Sequence, residues 1–155
     1  MNYVEIIDFY DGKFKKIFEE YFKELGVTLK ENTTLFSEIE ESYHKENMKC
    51  LALVDEFGIV AFIMYQIEKF KSSSNFFEET VGYIRELYVK PNNRNFGIGS
   101  NILKKCESEF KKENVYKLLL TFEPSSFEFY IKNGFIEDNS YTPKNKMRCL
   151  IKLLK

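Results

Sequence analysis

The chain has 155 residues, a formal net charge of −1, and charges of both signs spread along its length. It is 44% apolar, with sixteen Phe and ten Tyr, which excludes disorder and is enough to bury a core as a single domain over residues 1–155. No apolar run approaches the ~18 residues that a membrane span needs. The mixed charge argues against a dedicated nucleic-acid binder.

The opening residues Met1 to Asp8 lack the basic region and apolar core of a signal peptide. Tyr3 to Phe9 alternates loosely and predicts a first strand, after which Asp11-Gly12 turns the chain. Phe14, Ile17, Phe18, Tyr21, Phe22 and Leu25 mark an amphipathic helix that Gly26 stops. A second helix starts near Thr33 or Thr34 and carries Phe36, Ile39 and Tyr43. Cys50 to Val54 and Ile59 to about Phe70 read as strands joined by the hairpin turn Asp55 to Gly58. Lys71 to Asn75 is the most loop-like stretch.

Tyr83 to Val89 is rich in β-branched and aromatic residues and predicts the central strand. Pro91 ends its ladder because it has no N–H to donate. From Gly99, the apolar residues Ile102, Leu103, Cys106 and Phe110 fall at helical spacing to about Lys112. Val115 to Phe122 is a further strand, and Ser125 to Lys132 a short helix closed by Asn133-Gly134. Two last strands begin at Ile136 and span Met147 to Leu153, joined by the polar linker Asp138 to Lys146. The predicted order is βααβββαβαββ, without internal repeats. Cys50, Cys106 and Cys149 are odd in number and share no metal or redox spacing. They are expected to be reduced core residues of a cytoplasmic protein, and with His44 as the one histidine no metal site is expected.

Chemistry concentrates between the central strand and its helix, in Arg94-Asn95-Phe96-Gly97-Ile98-Gly99. Two glycines there allow positive φ and close backbone approach to a ligand. The N–H groups of the loop and of the first helical turn would face one space, which makes an anion site. A Walker loop would need Gly-Lys-Ser/Thr, which is absent, and a dinucleotide fingerprint would need a third glycine where Ile102 stands. Arg94-x-x-Gly97-x-Gly99, preceded by Leu87-Tyr88-Val89-Lys90-Pro91, instead resembles the acetyl-coenzyme A loop of the GNAT superfamily of N-acetyltransferases. Phe129-Tyr130-Ile131-Lys132-Asn133-Gly134-Phe135 resembles that family's second block, and the resemblance is strong over residues 81–136.

The resemblance implies an α/β (α+β) GNAT fold, a mixed and mostly antiparallel sheet of about seven strands flanked by helices on both faces. It implies an enzyme that moves acetyl from acetyl-CoA to a primary amine without a metal. Leu87, Tyr88 and Val89 would offer backbone N–H groups to the thioester oxygen beside a bulge. Arg94, Asn95, Phe96, Gly97, Ile98, Gly99 and Ser100 would hold the phosphates. Ser126 joins this cofactor set, as does Glu123, which stands where the family often has Asn against the pantetheine arm. Glu86, on the opposite strand face from Arg85 and Leu87, would take the proton from the amine. Its plainer reading is a charge on a solvated strand face, and Glu123 is the next candidate. Tyr130 would protonate the coenzyme A sulfur; its plainer reading is one more core aromatic.

Glu19, Glu20, Glu24, Glu31, Glu38, Glu40 and Glu41 make the first two helices acidic. The resemblance implies that these helices rim the acceptor site, which hints at a small cationic amine, a polycation such as a polyamine or aminoglycoside, though ordinary solvated helix faces fit at least as well. The alternatives are an acetyltransferase acting on protein amino groups and a non-catalytic acyl-CoA-binding sensor. Edge strands and abundant Phe make a homodimer plausible.

Overall fold

A computed structural model describes residues 1–28, 33–70, 78–141 and 147–155. The elements follow in the order β1 (Asn2–Glu5), α1 (Gly12–Glu24), α2 (Thr33–Lys45), β2 (Lys49–Asp55), β3 (Gly58–Phe70), β4 (Glu79–Val89), α3 (Ile98–Lys112), β5 (Lys117–Thr121), α4 (Phe127–Lys132), β6 (Ile136–Glu137) and β7 (Cys149–Leu153). This is the expected βααβββαβαββ order. The strands form one mixed seven-stranded sheet in the order β1-β2-β3-β4-β5-β7-β6. The β1/β2, β5/β7 and β6/β7 pairs are antiparallel and β4/β5 is parallel. The chain divides into two compact units, Met1–Met64 with Glu86–Leu103, and Tyr65–Arg85 with Lys104–Lys155. Strands β3 and β4 and helix α3 run through both.

The first unit is built on aromatic rings. Phe14, Ile17 and Phe18 bury the apolar stripe of α1 against Phe9, Phe36, Tyr43, Phe62 and Tyr88. Each such side chain contributes about 1.5–3 kcal/mol when fully removed from water. Asp11, expected as part of a plain turn, caps α1 by accepting from the amides of Lys13 and Phe14 at 3.0 and 3.4 Å. The first strand is shorter than Tyr3 to Phe9. Its pairing with β2 ends with the Ile6 amide donating to the Cys50 carbonyl at 2.9 Å, and Asp8 then accepts from the Tyr10 amide in a side-chain turn that sends Phe9 into the core.

The second unit is more aliphatic. Leu118, Leu119 and Leu120 of β5 and Leu150 and Ile151 of β7 are buried, and Tyr65 packs edge-on against Phe110 of α3. Gly82 on β4 sits so close to Phe110 and Leu118 that a Cβ there would lie 2.7–2.8 Å from their side chains. Strand β4 begins at Glu79, four residues before the expected Tyr83, and β5 is trimmed from Val115–Phe122 to Lys117–Thr121. The expected helix at Ser125 resolves into a 3-10 turn, Pro124–Ser126, followed by α4.

The four helices among the described residues end in the same way, with a left-handed residue, Gly26, Asn47, Asn114 or Gly134, and a following amide that reaches back five residues. Cys50, Cys106 and Cys149 are free and buried. The loop expected at Lys71 to Asn75 and the stretch 142–146 of the expected linker lie outside the described residues, as does Glu31.

Candidate functional site

The candidate residues divide between the two units, Glu86 to Ser100 in the first and Glu123, Ser126 and Tyr130 in the second. In the first unit β4 delivers Leu87, Tyr88 and Val89, and the Lys90 amide donates to the Val60 carbonyl of β3 at 2.9 Å. Pairing therefore reaches the residue before Pro91. A 3-10 turn over Pro91–Asn93 follows, and Arg94 is extended. Asn95 and Gly97 then adopt left-handed backbone, with φ of 69° and 78°. Sequence reasoning assigned positive φ to the two glycines; Asn95 takes one of those places, as its short polar side chain permits, and Gly99 is helical in the first turn of α3.

The two left-handed residues put Phe96 at the surface, 76% exposed, and turn Ile98 inward. The Gly97 carbonyl accepts from the Asn101 amide at 3.0 Å, which sets the first turn of α3. The amides of Ile98, Gly99 and Ser100 open that helix, where no preceding carbonyl of the helix is available to them. A Cβ built on Gly97 meets nothing within 4 Å, so the space outside the turn is open. An open turn followed by helix-opening amides fits a phosphate group.

Arg94 does not extend away from this loop. Its Nη2 donates to both carboxylate oxygens of Glu24 at 2.8 and 3.1 Å, and its Nε donates to the Val89 carbonyl at 2.8 Å. The guanidinium lies 5.5 Å from the Tyr88 ring centre, and the Tyr88 hydroxyl donates to the same Glu24 carboxylate at 2.9 Å. Burial pushes the Glu24 carboxyl up, but the bonds from Arg94 and Tyr88 outweigh it and hold the group below the usual carboxylate range. Burial, reinforced by the Glu24 charge, pushes the Tyr88 phenol well above its ordinary value. One turn earlier on α1, Glu20 lies 3.7 Å from the Lys90 ammonium.

Glu86 is half-buried and accepts a hydrogen bond from the Tyr21 hydroxyl. Tyr21 comes from α1, with its ring 5.2 Å from that of Tyr88 and 5.5 Å, edge-on, from that of Phe62. The carboxylate is thus held by a named donor beside aromatic rings. Sequence reasoning missed Tyr21 and Glu24, because on α1 they are two residues of an ordinary amphipathic pattern.

In the second unit Tyr130 is buried, with Phe129 and Phe135 edge-on at 5.1 and 5.5 Å. The block around it has a local cause. Gly134, at φ 90°, lets the Phe135 amide reach back to the Tyr130 carbonyl at 3.1 Å, and that closure brings the two rings together. Glu123 is exposed, and its carbonyl accepts both the amide and the hydroxyl of Ser126 at 2.9 Å. The Ser126 side chain is therefore committed to the turn before α4.

His44 is exposed and pairs with Glu40 at 3.0 Å. Among the described residues no group of three or more His, Cys, Asp or Glu could hold a metal ion, and no helix is long and apolar enough to cross a membrane.

A family model described as the acetyltransferase (GNAT) family matches residues 13–135, which takes in α1, the loop and the Tyr130 block. The chain belongs to the GNAT acetyltransferase family. No match is found among the curated proteins. Among solved structures this GNAT chain is similar to an acetyltransferase of GNAT family from Staphylococcus aureus Mu50, at 21% identity and a TM-score of 0.72, with 99% of each chain covered. It is also similar to a predicted acetyltransferase with acetyl-CoA from Clostridium acetobutylicum, at 19% identity and a TM-score of 0.69, covering 92% of this chain and 94% of that one. A chain of the NatC complex bound to Gag peptide and CoA matches at 15% identity and a TM-score of 0.65, with 100% of both chains covered. At these identities the likeness is one of fold.

Proposed function

We propose that this chain, as one catalytic domain over residues 1–155, moves the acetyl group of acetyl-CoA directly onto a primary amine. The observation that carries the reading is the open left-handed turn at Gly97 leading into the helix-opening amides of Ile98, Gly99 and Ser100. These donors suit the pyrophosphate of coenzyme A, and the similar Clostridium acetobutylicum structure is one with acetyl-CoA.

In the reaction the amine nitrogen bonds to the thioester carbonyl carbon, the carbon–sulfur bond breaks, and the ammonium loses a proton. We assign that proton to Glu86, directly or through water, with Tyr21 fixing the carboxylate. A primary ammonium has a pKa near 10 and an unperturbed Glu near 4.3, so direct transfer is uphill, and a partly desolvated carboxylate would do better. Tyr130 is assigned as proton donor to the departing sulfur. A thiol of pKa near 8.5 leaves readily as thiolate, so this donor assists rather than enables. Direct attack fits better than transfer through a cysteine. Burial pushes the Cys50 and Cys106 thiols well up and that of Cys149 to about 11, and such thiols are poor nucleophiles near neutral pH.

For the acceptor we favour a small amine over a long polycation. Of the acidic residues on α1 and α2, Glu20, Glu24 and Glu40 already pair with Lys90, Arg94 and His44. A protein amino group is the second reading, favoured by the full-length match to a chain of a complex bound to a peptide. The test is a screen of small amines and peptides that follows release of free coenzyme A. Release with one amine class supports transfer and names the acceptor. Tight acetyl-CoA binding without release from any amine or peptide would instead favour a sensor.

A further inference from the structure

We infer that Glu24 is a positioning residue for the phosphate loop: it fastens Arg94, and with it the turn from Lys90 to Gly97, to the last turn of α1. This rests on the proposal that the loop binds coenzyme A.

The geometry gives Arg94 several partners inside the protein. Its guanidinium meets both Glu24 oxygens and the Val89 carbonyl, and it lies over the Tyr88 ring. Tyr88 adds a third hydrogen bond to the same carboxylate, and Glu20 repeats the pattern one turn earlier against Lys90. The arginine that opens the loop motif is thus occupied on the side of α1. Phosphate binding is left to the backbone amides beyond it. Those amides bind more tightly when the left-handed turn at Asn95 and Gly97 is already in place, because each flexible residue ordered on binding weakens affinity. An exposed ion pair alone contributes little. Here the Val89 carbonyl and the Tyr88 ring already hold the guanidinium in place, so less freedom is lost when its Nη2 engages Glu24.

The inference has a distinguishing sign. If Glu24 were only a negative charge near an anion site, its removal would tighten coenzyme A binding by relieving repulsion and releasing Arg94 toward the phosphates. If Glu24 holds the loop in shape, its removal loosens binding. Two readouts on the full chain test this with Glu24→Gln, and Glu38→Gln on α2 serves as the control that also removes one charge from an exposed helix residue. Amide hydrogen exchange of the free protein should speed up several-fold over residues 91–100 in Glu24→Gln and not in Glu38→Gln. Calorimetry with coenzyme A should give a Kd about five- to tenfold higher in Glu24→Gln, with Glu38→Gln like the wild type. Arg94→Gln should match Glu24→Gln, and the double variant should be no worse than either, since both break one device. Arg94→Lys, which keeps the charge and loses the fork, should fall on the same side as Arg94→Gln. Unchanged exchange over the loop in folded Glu24→Gln, an equal or lower Kd, or additive effects in the double variant would each overturn the inference. If the wild type binds no coenzyme A, the cofactor reading fails, and the exchange measurement still decides whether Glu24 holds the loop.

Discussion

The Arg94–Ser100 loop and the Tyr130 block are held in opposite ways. Around Tyr130 the backbone closure is local. Asn133, Gly134 and Phe135 close onto Phe129, Tyr130 and Ile131, and Ser126 closes onto Glu123. At the loop the side-chain bonds that matter run to α1, from Glu86 to Tyr21, from Tyr88 to Glu24 and from Arg94 to Glu24, across separations of 64 to 70 residues. The closure of the Tyr130 block is made by its own neighbours, whereas the loop depends on a helix formed far away in sequence. Substitutions in the loop region are therefore expected to change binding and rate, and substitutions in the closure of α4 chiefly stability.

The largest effect is expected at Glu86. Glu86→Gln keeps the shape and removes the proton-accepting capacity, so kcat should fall about 10²-fold or more near neutral pH. The deficit should shrink toward high pH, where the amine loses its proton unaided. A pH-rate profile from pH 6 to 10 decides it, and a constant ratio to the wild type would pass the role to Glu123.

Gly97→Asp comes next. The added Cβ meets open space, so the variant should fold with strain only from φ of 78°, which Asp tolerates better than most residues. The carboxylate, however, would stand where phosphate is proposed to sit. Loss of at least one charged hydrogen bond should weaken acetyl-CoA binding by about 1.5–3 kcal/mol, roughly 10- to 150-fold, by calorimetry.

Tyr130→Phe sharpens the contrast from the other side. The ring contacts with Phe129 and Phe135 survive, so folding and cofactor affinity should hold. If the hydroxyl serves the sulfur, steady-state kinetics should show kcat about 10- to 10³-fold lower with little change in KM for acetyl-CoA. Full activity would reduce Tyr130 to a core ring.

The smallest effect is expected at Gly134, where φ is 90° and a Cβ would lie 3.3 Å from the Lys152 side chain. Gly134→Ala should cost about 1 kcal/mol or a little more in stability, a fall in Tm of about 2–4 °C, with kinetics nearly unchanged.

The same contrast explains what the sequence made legible. The element order, the Gly97 turn and the Gly134 closure are encoded by neighbours and were readable. The loss of strand after Ile6 was not, because it depends on the Asp8 side chain bonding two residues on. Asp11 ahead of an apolar stripe is a capping signal in its own right, though it was read as a turn. Tyr21 was legible only as part of the apolar stripe of α1, and Glu24 only as one of its acidic residues. One turn of an amphipathic helix does not announce which of its polar residues will meet a loop some 70 positions away.

The central claim is that the amides opening α3 hold coenzyme A. It is tested most directly by titrating isotopically labelled protein with coenzyme A and following each backbone amide. The expected result is saturable movement of the Gly97, Ile98, Gly99 and Ser100 signals at one common affinity, with that affinity lowered in Gly97→Asp. Saturable binding that leaves those four signals in place would contradict it.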